Sequence, residues 1–199
     1  MSVLKVLTYG EKTLREPSKE IHKVSSKIKK IVNDLLDTMY AYNGVGLAAP
    51  QVGINYRMFV LDTAGENEPP NPRIFINPKI VKKTGAISSY EGCLSFPEVF
   101  TTVKRYESVV VRAKDLKGKT FSMEVGDGTL LARALQHEMD HLDGHLFIDH
   151  TRNRFETDKL LAEQGLPPVD PEFLIEEEEL EQQIQENEKA SAETQTVDQ

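Results

Sequence analysis

One six-residue segment constrains the fold of this chain more than any other: residues 136–141 have the sequence QHEMDH. Residues four apart on an α-helix lie one turn above each other, so a helix here directs His137 and His141 at one metal ion. Glu138 then stands beside them, close enough to handle a proton of water at the ion without being a ligand. The sequence therefore predicts a helix that carries a metal site on one face.

The predicted motif helix begins after Asp127, which can cap it, and stops at Gly144. Leu130 and Ala134 lie on successive turns that lead to the motif, and they extend its face as a mostly apolar surface. Such a surface suits an apolar substrate group lying beside the metal. Ordinary core packing explains the two residues equally well.

A third metal ligand is needed, since catalytic zinc-type sites usually combine three protein ligands with a water. The only cysteine of the 199 residues, Cys93, is the candidate, and the adjacent Gly92 lets the backbone approach an ion closely. A single cysteine also excludes an intrachain disulfide and favours a reducing compartment. A buried, unreactive thiol is the alternative interpretation.

The hydrophobic pattern predicts an α+β fold. Apolar residues at helical spacing over residues 28–39 indicate a helix, with Ser25 or Ser26 as its cap. The glycine-rich segment 44–53 is predicted to be a shaped loop and not a regular element. Strands are predicted at residues 57–62, 74–77, 80–81, 108–113 and 120–125, and a further helix at 152–163. Short strands around a few helices favour antiparallel pairing.

The net charge of −8 belongs to the C-terminal end of the chain. Residues 170–199 contain 11 acidic residues and one basic residue, whereas the rest of the chain contains 21 acidic and 23 basic residues. We therefore predict a folded domain at residues 1–165 and an acidic tail at 166–199 that is disordered or partly helical. The nearly neutral body has no long basic stripe, so direct nucleic-acid recognition is not predicted.

No segment approaches the ~20 consecutive apolar residues that a membrane span needs. The N-terminus also lacks the apolar core of a signal peptide. We therefore expect a cytoplasmic protein that does not enter the membrane.

Three segments combine the residue types of one site: GVGLAAPQ at residues 44–51, EGCLS at 91–95 and QHEMDHLDG at 136–144. In this order and at these spacings they resemble the peptide deformylases of bacterial type, over roughly residues 3–164. The resemblance implies an enzyme that hydrolyses the N-formyl group from the N-terminal methionine of new polypeptides and releases formate. It implies an α+β fold with antiparallel sheets packed around a central metal-binding helix, followed here by the acidic tail.

The resemblance also implies a role for individual residues. The metal ligands would be Cys93, His137 and His141. The catalytic acid and base would be Glu138, while Gln51 and the backbone N–H of Leu94 would stabilise the charge that develops on the formyl oxygen. The substrate methionine would lie against Gly46, Val45, Leu130 and Ala134. One Fe²⁺ ion per chain is implied, with Zn²⁺, Ni²⁺ or Co²⁺ as substitutes.

Three positions depart from the pattern of many relatives, and they leave the preference beyond formylmethionine open. Phe100 stands where many relatives have arginine, Asn43 where many have an acidic residue, and Arg133 where the helix is often apolar. Among the remaining polar residues, Glu91 is expected to order its loop by pairing with Arg105, and Asp140 and Asp143 either to orient ligands or to cap the helix. The histidines outside the motif, His22, His145 and His150, are expected to be exposed and not to be ligands.

The expected partners are formylmethionyl nascent peptides and the exit region of the ribosome, from which these peptides emerge. Two other functions remain open from the sequence. A His-Glu-x-x-His endopeptidase would need a distant histidine or glutamate as its third ligand and would leave Cys93 and Gln51 without a role. A structural metal site on a binding module would fill all four ligand positions and use the acidic tail as a contact arm.

Overall fold

The computed structural model describes residues 2–65 and 67–175. The predicted disordered or partly helical tail beyond Ile175 lies outside these residues. The helices are α1 Ser26–Ala41, α2 Leu130–Asp143 and α3 Arg154–Glu163. The strands are β1 Gly46–Ala48, β2 Met58–Leu61, β3 Arg73–Thr84, β4 Ile87–Cys93, β5 Phe96–Arg105, β6 Ser108–Lys114 and β7 Thr120–Val125. Short 3-10 helices lie at Lys12–Arg15, Ala49–Val52, Phe147–His150 and Pro171–Phe173.

Five strands form one antiparallel sheet in the order β1-β2-β3-β6-β7, and β4 and β5 form a separate hairpin. Strand β2 is buried on both faces because its side chains alternate between two helices. Phe59 and Leu61 pack in the core with α2, while Met58 and Val60 pack in the core with α1. On its other side, helix α2 contacts the hairpin through His137 to Glu91 and Asp140 to Arg105. Helix α2 thus lies between the sheet and the hairpin, which confirms the predicted α+β fold around a central helix.

Helix α1 forms because its apolar residues recur every three or four positions and cover one face. Ser25 caps it by accepting a hydrogen bond from the Ile28 N–H at 3.4 Å, so the predicted cap is confirmed. On helix α2 the predicted cap was wrong. Asp127 lies in a left-handed turn at φ 57°, and the hydroxyl of Thr129 accepts from the Ala132 N–H at 3.3 Å instead.

One loop prediction and one strand prediction differ from the structure. Segment 44–53 is not an irregular loop, because it contains strand β1 and a 3-10 helix that place Gln51 in the interior. The two short strands predicted at 74–77 and 80–81 are one continuous strand, β3. Its pairing with β6 shifts register between Ile76 and Lys79, so Pro78 sits at a bulge and does not end the strand.

The start of the predicted tail packs against the body. Val169 is fully buried in the core that contains the β5 residues, and its N–H donates to Asp158 at 2.7 Å. The ring of Phe173 lies 4.1 Å from the guanidinium carbon of Arg15. Ile175 donates its N–H to the carbonyl of Asp149 at 2.9 Å. The boundary at residue 165 stays a prediction, and residues 166–175 are part of the packed structure.

Among the described residues, no helix has both the length and the apolar character that crossing a bilayer requires.

Candidate metal centre

Three potential ligands meet between helix α2 and the β4–β5 hairpin. The Sγ of Cys93 lies 3.3 Å from Nε2 of His141, and the ligand atoms of Cys93, His137 and His141 all lie within 4.8 Å of one another. Two such atoms can reach one ion, because zinc-type bonds measure roughly 2.0–2.3 Å each. Within residues 2–65 and 67–175, no fourth His, Cys, Asp or Glu joins this group. The donor set therefore fits a three-ligand site with an open position.

The two elements hold the ligands for different reasons. Helix α2 buries Leu135 and Leu142 in the sheet core, and this packing turns the face with His137 and His141 toward the hairpin. In the hairpin, the register shifts between Gly92 and the ligand Cys93. The ring of Phe100 lies directly over Gly92, where any larger side chain would collide with it.

A hydrogen bond from one side orients His137. Its Nδ1 lies 3.1 Å from Oε2 of Glu91, which leaves Nε2 for a metal ion. Burial alone would raise the pKa of Glu91, but Arg105 and His137 outweigh burial and hold this pKa well below its usual range. Burial and the neighbouring His137 lower the pKa of His141, which keeps that ring neutral as a ligand must be.

Glu91 belongs to a row of charges that runs away from the ligands. Arg105 donates to both carboxylate oxygens of Glu91, at 3.0 and 2.9 Å, and to Asp140 at 2.5 Å. Asp140 in turn lies 2.9 Å from Nε2 of His150. The predicted pairing of Glu91 with Arg105 is present, whereas the bond from Glu91 to His137 was missed. Asp140 orients Arg105 and touches no ligand.

All three remaining histidines were predicted to be exposed, and two of them are not. His22 is exposed, but His145 and His150 are half-buried. The side chain of His150 is only 11% exposed because it pairs with Asp140, and His145 faces the ring of Phe173.

Glu138 is buried beside the ligands and faces strand β1. A side chain at Gly46 would collide with its carboxylate, so only glycine leaves room for it there. Oε2 of Glu138 has no hydrogen-bond partner among the described residues. Burial raises the pKa of Glu138 to about 7, against the opposing effect of His137. A carboxyl group with a pKa near neutrality can both accept and release a proton.

A hydrogen bond from a nearby backbone N–H fixes the side chain of Gln51. Its Oε1 accepts from the Ala48 N–H at 2.8 Å, so its amide nitrogen faces Cys93 Sγ at 3.4 Å and Ser95 Oγ at 3.3 Å. Leu94 follows Cys93 in the turn between β4 and β5, and its side chain packs close to Gly44. Ser95 was not singled out from the sequence, although it lies in the EGCLS segment and is fully buried.

The four residues predicted to bind the substrate methionine divide into two pairs. Gly46 and Ala134 are buried beside the site, whereas Val45 and Leu130 are 41% and 44% exposed. Exposed apolar side chains next to a buried polar centre suit a cleft wall.

The residues that depart from the family pattern have local structural roles. Arg133 donates from Nε to the carbonyl of Gly128 at 3.1 Å, at the start of α2. Asn43 adopts a left-handed conformation at φ 54° just after α1. Phe100 stacks on Tyr90 with ring centroids 5.8 Å apart. Tyr90 and Phe100 are 69% and 44% exposed, so they form an aromatic surface on the hairpin.

Comparison with known sequences identifies the family. A sequence model described as Polypeptide deformylase matches residues 3–156. Peptide deformylase 2 of Gloeobacter violaceus is 42% identical over 163 residues, which cover 81% of this chain and 86% of that protein. The peptide deformylase of Brucella suis biovar 1 is 47% identical over 151 residues, which cover 75% of this chain and 85% of that protein.

Comparison with solved structures agrees. A peptide deformylase from Synechococcus elongatus, crystallised in complex with actinonin, matches with a TM-score of 0.78 and 38% identity over 86% of this chain and 91% of its own. The enzyme from Thermotoga maritima matches with a TM-score of 0.71 and 37% identity, over 77% and 100% of the two chains. The chain therefore belongs to the peptide deformylase family, the metal-dependent hydrolases that remove the N-formyl group from nascent polypeptides.

Proposed function

We propose that Cys93, His137 and His141 hold the one metal ion of this deformylase and that Glu138 carries the proton during hydrolysis. The observation that supports this proposal is that the sulfur of Cys93 from the hairpin and one imidazole nitrogen each of His137 and His141 from α2 converge within 4.8 Å. Helix α2 also carries the buried carboxyl of Glu138 beside them. A divalent ion bound there would supply Lewis-acid activation of a water and of the formyl carbonyl. We propose Fe²⁺ as the native ion, with Zn²⁺, Ni²⁺ or Co²⁺ as substitutes.

Glu138 manages the proton balance of the reaction. It accepts a proton from the water whose oxygen bonds to the formyl carbon, and it returns that proton to the amine nitrogen as the carbon–nitrogen bond breaks. Formate and a free N-terminus are the products. The raised pKa of Glu138, to about 7, supports both halves of this transfer, because neither protonation state is strongly disfavoured.

The formyl oxygen gains negative charge before the bond breaks. The amide of Gln51 and the backbone N–H of Leu94 are the proposed donors to it. The fixed amide of Gln51, held through Ala48 and turned toward Cys93, supports its role because a donor that is already oriented needs no rearrangement. Removing one such donor lowers turnover by roughly 10²- to 10³-fold in comparable sites.

The substrate is proposed to lie in the cleft beside these groups. The methionine side chain would contact four residues: Gly46, Val45, Leu130 and Ala134. The exposure of Val45 and Leu130 supports this arrangement, since both become covered when an apolar side chain binds. The proposed setting is the cytoplasm near the ribosome exit, where formylated nascent chains become available.

Two variants test the proposal by separating metal binding from proton transfer. Glu138→Gln should keep one ion per chain and lose about 10²- to 10⁴-fold in the rate of formate release from formyl-Met-Ala-Ser under anaerobic conditions. Cys93→Ser should lose the ion as well as the activity, since serine is a poor ligand at neutral pH. Exposed Glu163, changed to Gln, is the matched control and should alter neither quantity.

Full turnover by Glu138→Gln with its metal in place would exclude Glu138 as the proton carrier. A Cys93→Ser variant that retained both metal and activity would exclude the thiolate ligand. Cleavage of internal peptide bonds, with no formate released, would favour the endopeptidase alternative.

A further inference from the structure

The aromatic surface formed by Tyr90 and Phe100 lies on the face of the β4–β5 hairpin that is turned away from helix α2. The two rings stack with centroids 5.8 Å apart and an interplanar angle of 17°. Both side chains remain exposed in spite of this stacking. Large apolar side chains that stay exposed next to each other commonly mark a binding site. The aromatic surface is therefore a candidate contact for a ligand.

The register of the hairpin places the aromatic surface next to the metal centre. Phe100 lies opposite Gly92, and Tyr90 precedes Gly92 by two residues on the same face of β4. Aromatic side chains in such diagonal positions can touch each other. The Phe100 ring covers Gly92, and Gly92 immediately precedes the proposed ligand Cys93. The aromatic surface thus begins one residue away from a ligand.

The two faces of β4 have different roles. Ser89 and Glu91 are buried on the inner face, where Glu91 lies 3.1 Å from His137 of helix α2. Successive side chains of a strand point to opposite faces, so Tyr90 and Gly92 lie on the outer face. A ligand on the outer face can therefore lie close to the metal centre without disturbing the buried contacts of Glu91.

An extended substrate presents successive side chains to opposite sides in the same way. In the proposed arrangement, the methionine side chain points toward Leu130 and Ala134 of helix α2. The side chain of the next residue then points away from α2, toward the outer face of the hairpin. Its Cα lies about 3.8 Å beyond that of methionine, the same step that separates Gly92 from Cys93. The second residue of the substrate is thus within reach of the aromatic surface.

We propose that Tyr90 and Phe100 bind the side chain of the second substrate residue, the one after formylmethionine, and favour an aromatic or large apolar side chain there. Such a side chain covers the exposed parts of both rings, and an aromatic one adds a stacked or edge-to-face contact. Alanine at this position gains neither contribution. The proposal rests on the proposed metal centre, because that centre fixes where the methionine binds. Phe100 departs from the pattern of many relatives, so the preference belongs to this chain and not to the family.

Two formylated tripeptides of the same composition test the preference. The peptides formyl-Met-Phe-Ala and formyl-Met-Ala-Phe differ only in the position of the aromatic residue. Anaerobic formate release by the metal-loaded, full-length protein should give a kcat/KM about tenfold higher for formyl-Met-Phe-Ala. The difference should lie mainly in KM, since the second residue touches the rings both before and during hydrolysis.

Variants of the two rings should remove the preference. Tyr90→Ser and Phe100→Ser should each lower the ratio of the two kcat/KM values to about threefold or less, and the double variant should lower it to about one. Tyr90→Phe keeps the ring and should keep the ratio. Phe155→Ser, which removes an exposed aromatic side chain of helix α3, is the matched control and should also keep it. Both peptides use the same metal centre, so general damage to that centre cancels in the ratio.

Binding of the deformylated products gives a second measurement that needs no turnover. The chain contains no tryptophan, so the fluorescence of Met-Trp-Ala and Met-Ala-Trp reports on the peptide alone. Wild-type protein should bind Met-Trp-Ala about fivefold or more tightly than Met-Ala-Trp. The Tyr90→Ser, Phe100→Ser double variant should bind the two peptides equally.

The failure of this proposal can be told apart from the failure of the metal centre. Formate release from both peptides at equal kcat/KM, or a preference that survives in the double variant, would overturn the role of the aromatic surface alone. Faster hydrolysis of formyl-Met-Ala-Phe would overturn the assignment to the second residue. Release of formate from neither peptide would overturn the proposed function and this proposal with it.

Discussion

Glu91 illustrates how one residue can serve stability and chemistry together. Its carboxylate accepts from the buried Arg105 and, on the other side, meets His137 at 3.1 Å. Both partners are almost completely buried, so neither can exchange Glu91 for water. The proposed ligand geometry at His137 therefore depends on an ion pair that lies outside the ligand set.

Replacing Glu91 with Gln keeps the shape and removes the charge. We expect metal affinity to fall roughly 10- to 100-fold, because the orientation and basicity of His137 are weakened. We also expect the free energy of unfolding to fall by about 2 kcal/mol, since Arg105 retains Asp140 but loses its second carboxylate. Chelator titration and urea unfolding measure the two effects. Unchanged affinity would show that His137 holds its position without Glu91.

A methyl group at Gly46 should press on both the Glu138 carboxylate and the core residue Leu61, whose Cδ2 it would meet at 2.7 Å. The Gly46→Ala side chain would collide with the Glu138 carboxylate, and we expect it to displace that group and lower turnover by about 10²-fold or more. Metal content should stay at one ion per chain, because neither residue is a proposed ligand. Gly65→Ala is the matched control, since a side chain there meets only Glu68 at an ordinary distance of 3.8 Å. Formate release and metal analysis decide the outcome, and wild-type turnover in Gly46→Ala would contradict the contact.

At the scale of residues, the sequence predicts which residues form the site better than it predicts the hydrogen bonds between them. The spacing of His137 and His141 requires only a helix, so their common direction follows from local geometry. The contacts of Glu91 with His137 and of Gln51 with Ser95 join residues more than 40 positions apart. Those contacts depend on how the hairpin packs against α2, and no local sequence pattern predicts that packing.

At the scale of elements, the β4–β5 hairpin escaped prediction because its inward face is polar. Buried positions alternate along β5 as in any half-buried strand, yet they include Thr101 and Arg105 as well as Val99 and Val103. On β4 the buried positions are Ser89 and Glu91. The hydrophobic alternation that identifies a strand is therefore absent, although the burial alternation is present.

The contact between helix α1 and the loop after β2 gives a pH-dependent test. The hydroxyl of Tyr40 donates to Asp62 at 2.6 Å, and Asp62 also accepts from the backbone N–H of Ala64 and Asn71. Burial, together with the hydrogen bond and charge of Asp62, raises the pKa of Tyr40 to about 12. Because this folded-state pKa exceeds the unfolded value, the stabilisation is complete below pH 10 and is lost as the pH rises toward 12.

Tyr40→Phe should therefore lower the free energy of unfolding by about 1 kcal/mol at pH 8, a figure reduced for the 43% exposure of Tyr40. The difference from wild type should vanish as the pH approaches 12. Urea unfolding at a series of pH values measures this. Tyr42→Phe, at an equally exposed neighbour, is the control and should have little effect. A difference that stayed constant up to pH 12 would contradict the bond to Asp62.

At the scale of the whole molecule, the boundary between body and tail can be placed by truncation. Ending the chain after Ile175 should leave unfolding and turnover on short peptides unchanged. Ending it after Gly165 should lower the free energy of unfolding by about 3 kcal/mol, because Val169 loses its burial and the bond from Tyr9 to the Pro168 carbonyl is lost. Thermal unfolding of both chains decides between the two boundaries. Equal stability would support the boundary predicted at residue 165.

The class of the fold follows from the sequence, and its layering follows only from the structure. The apolar run of β2 fits a strand covered on both faces, but nothing in it tells which helix covers which face. The placement of Lys79 directly opposite Arg112 likewise depends on the register between β3 and β6. Local sequence patterns therefore predict helices and strands, whereas the pairing of distant strands determines which side chains share a surface.

The proposed ligands belong to two pieces of the molecule that pack in different cores. Cys93 ends strand β4, and the apolar residues of its hairpin, including Phe96, pack with Phe147 in one core. The two histidines lie on helix α2, which packs against the large sheet in another core. An ion bound by all three ligands would cross-link these two parts of the molecule, and its binding free energy would add to the stability of the folded protein. Loss of the ion would then do more than stop hydrolysis. It would weaken the contact between the hairpin and helix α2 and expose the chain to proteases. The lifetime of the protein in the cell would therefore depend on the metal supply.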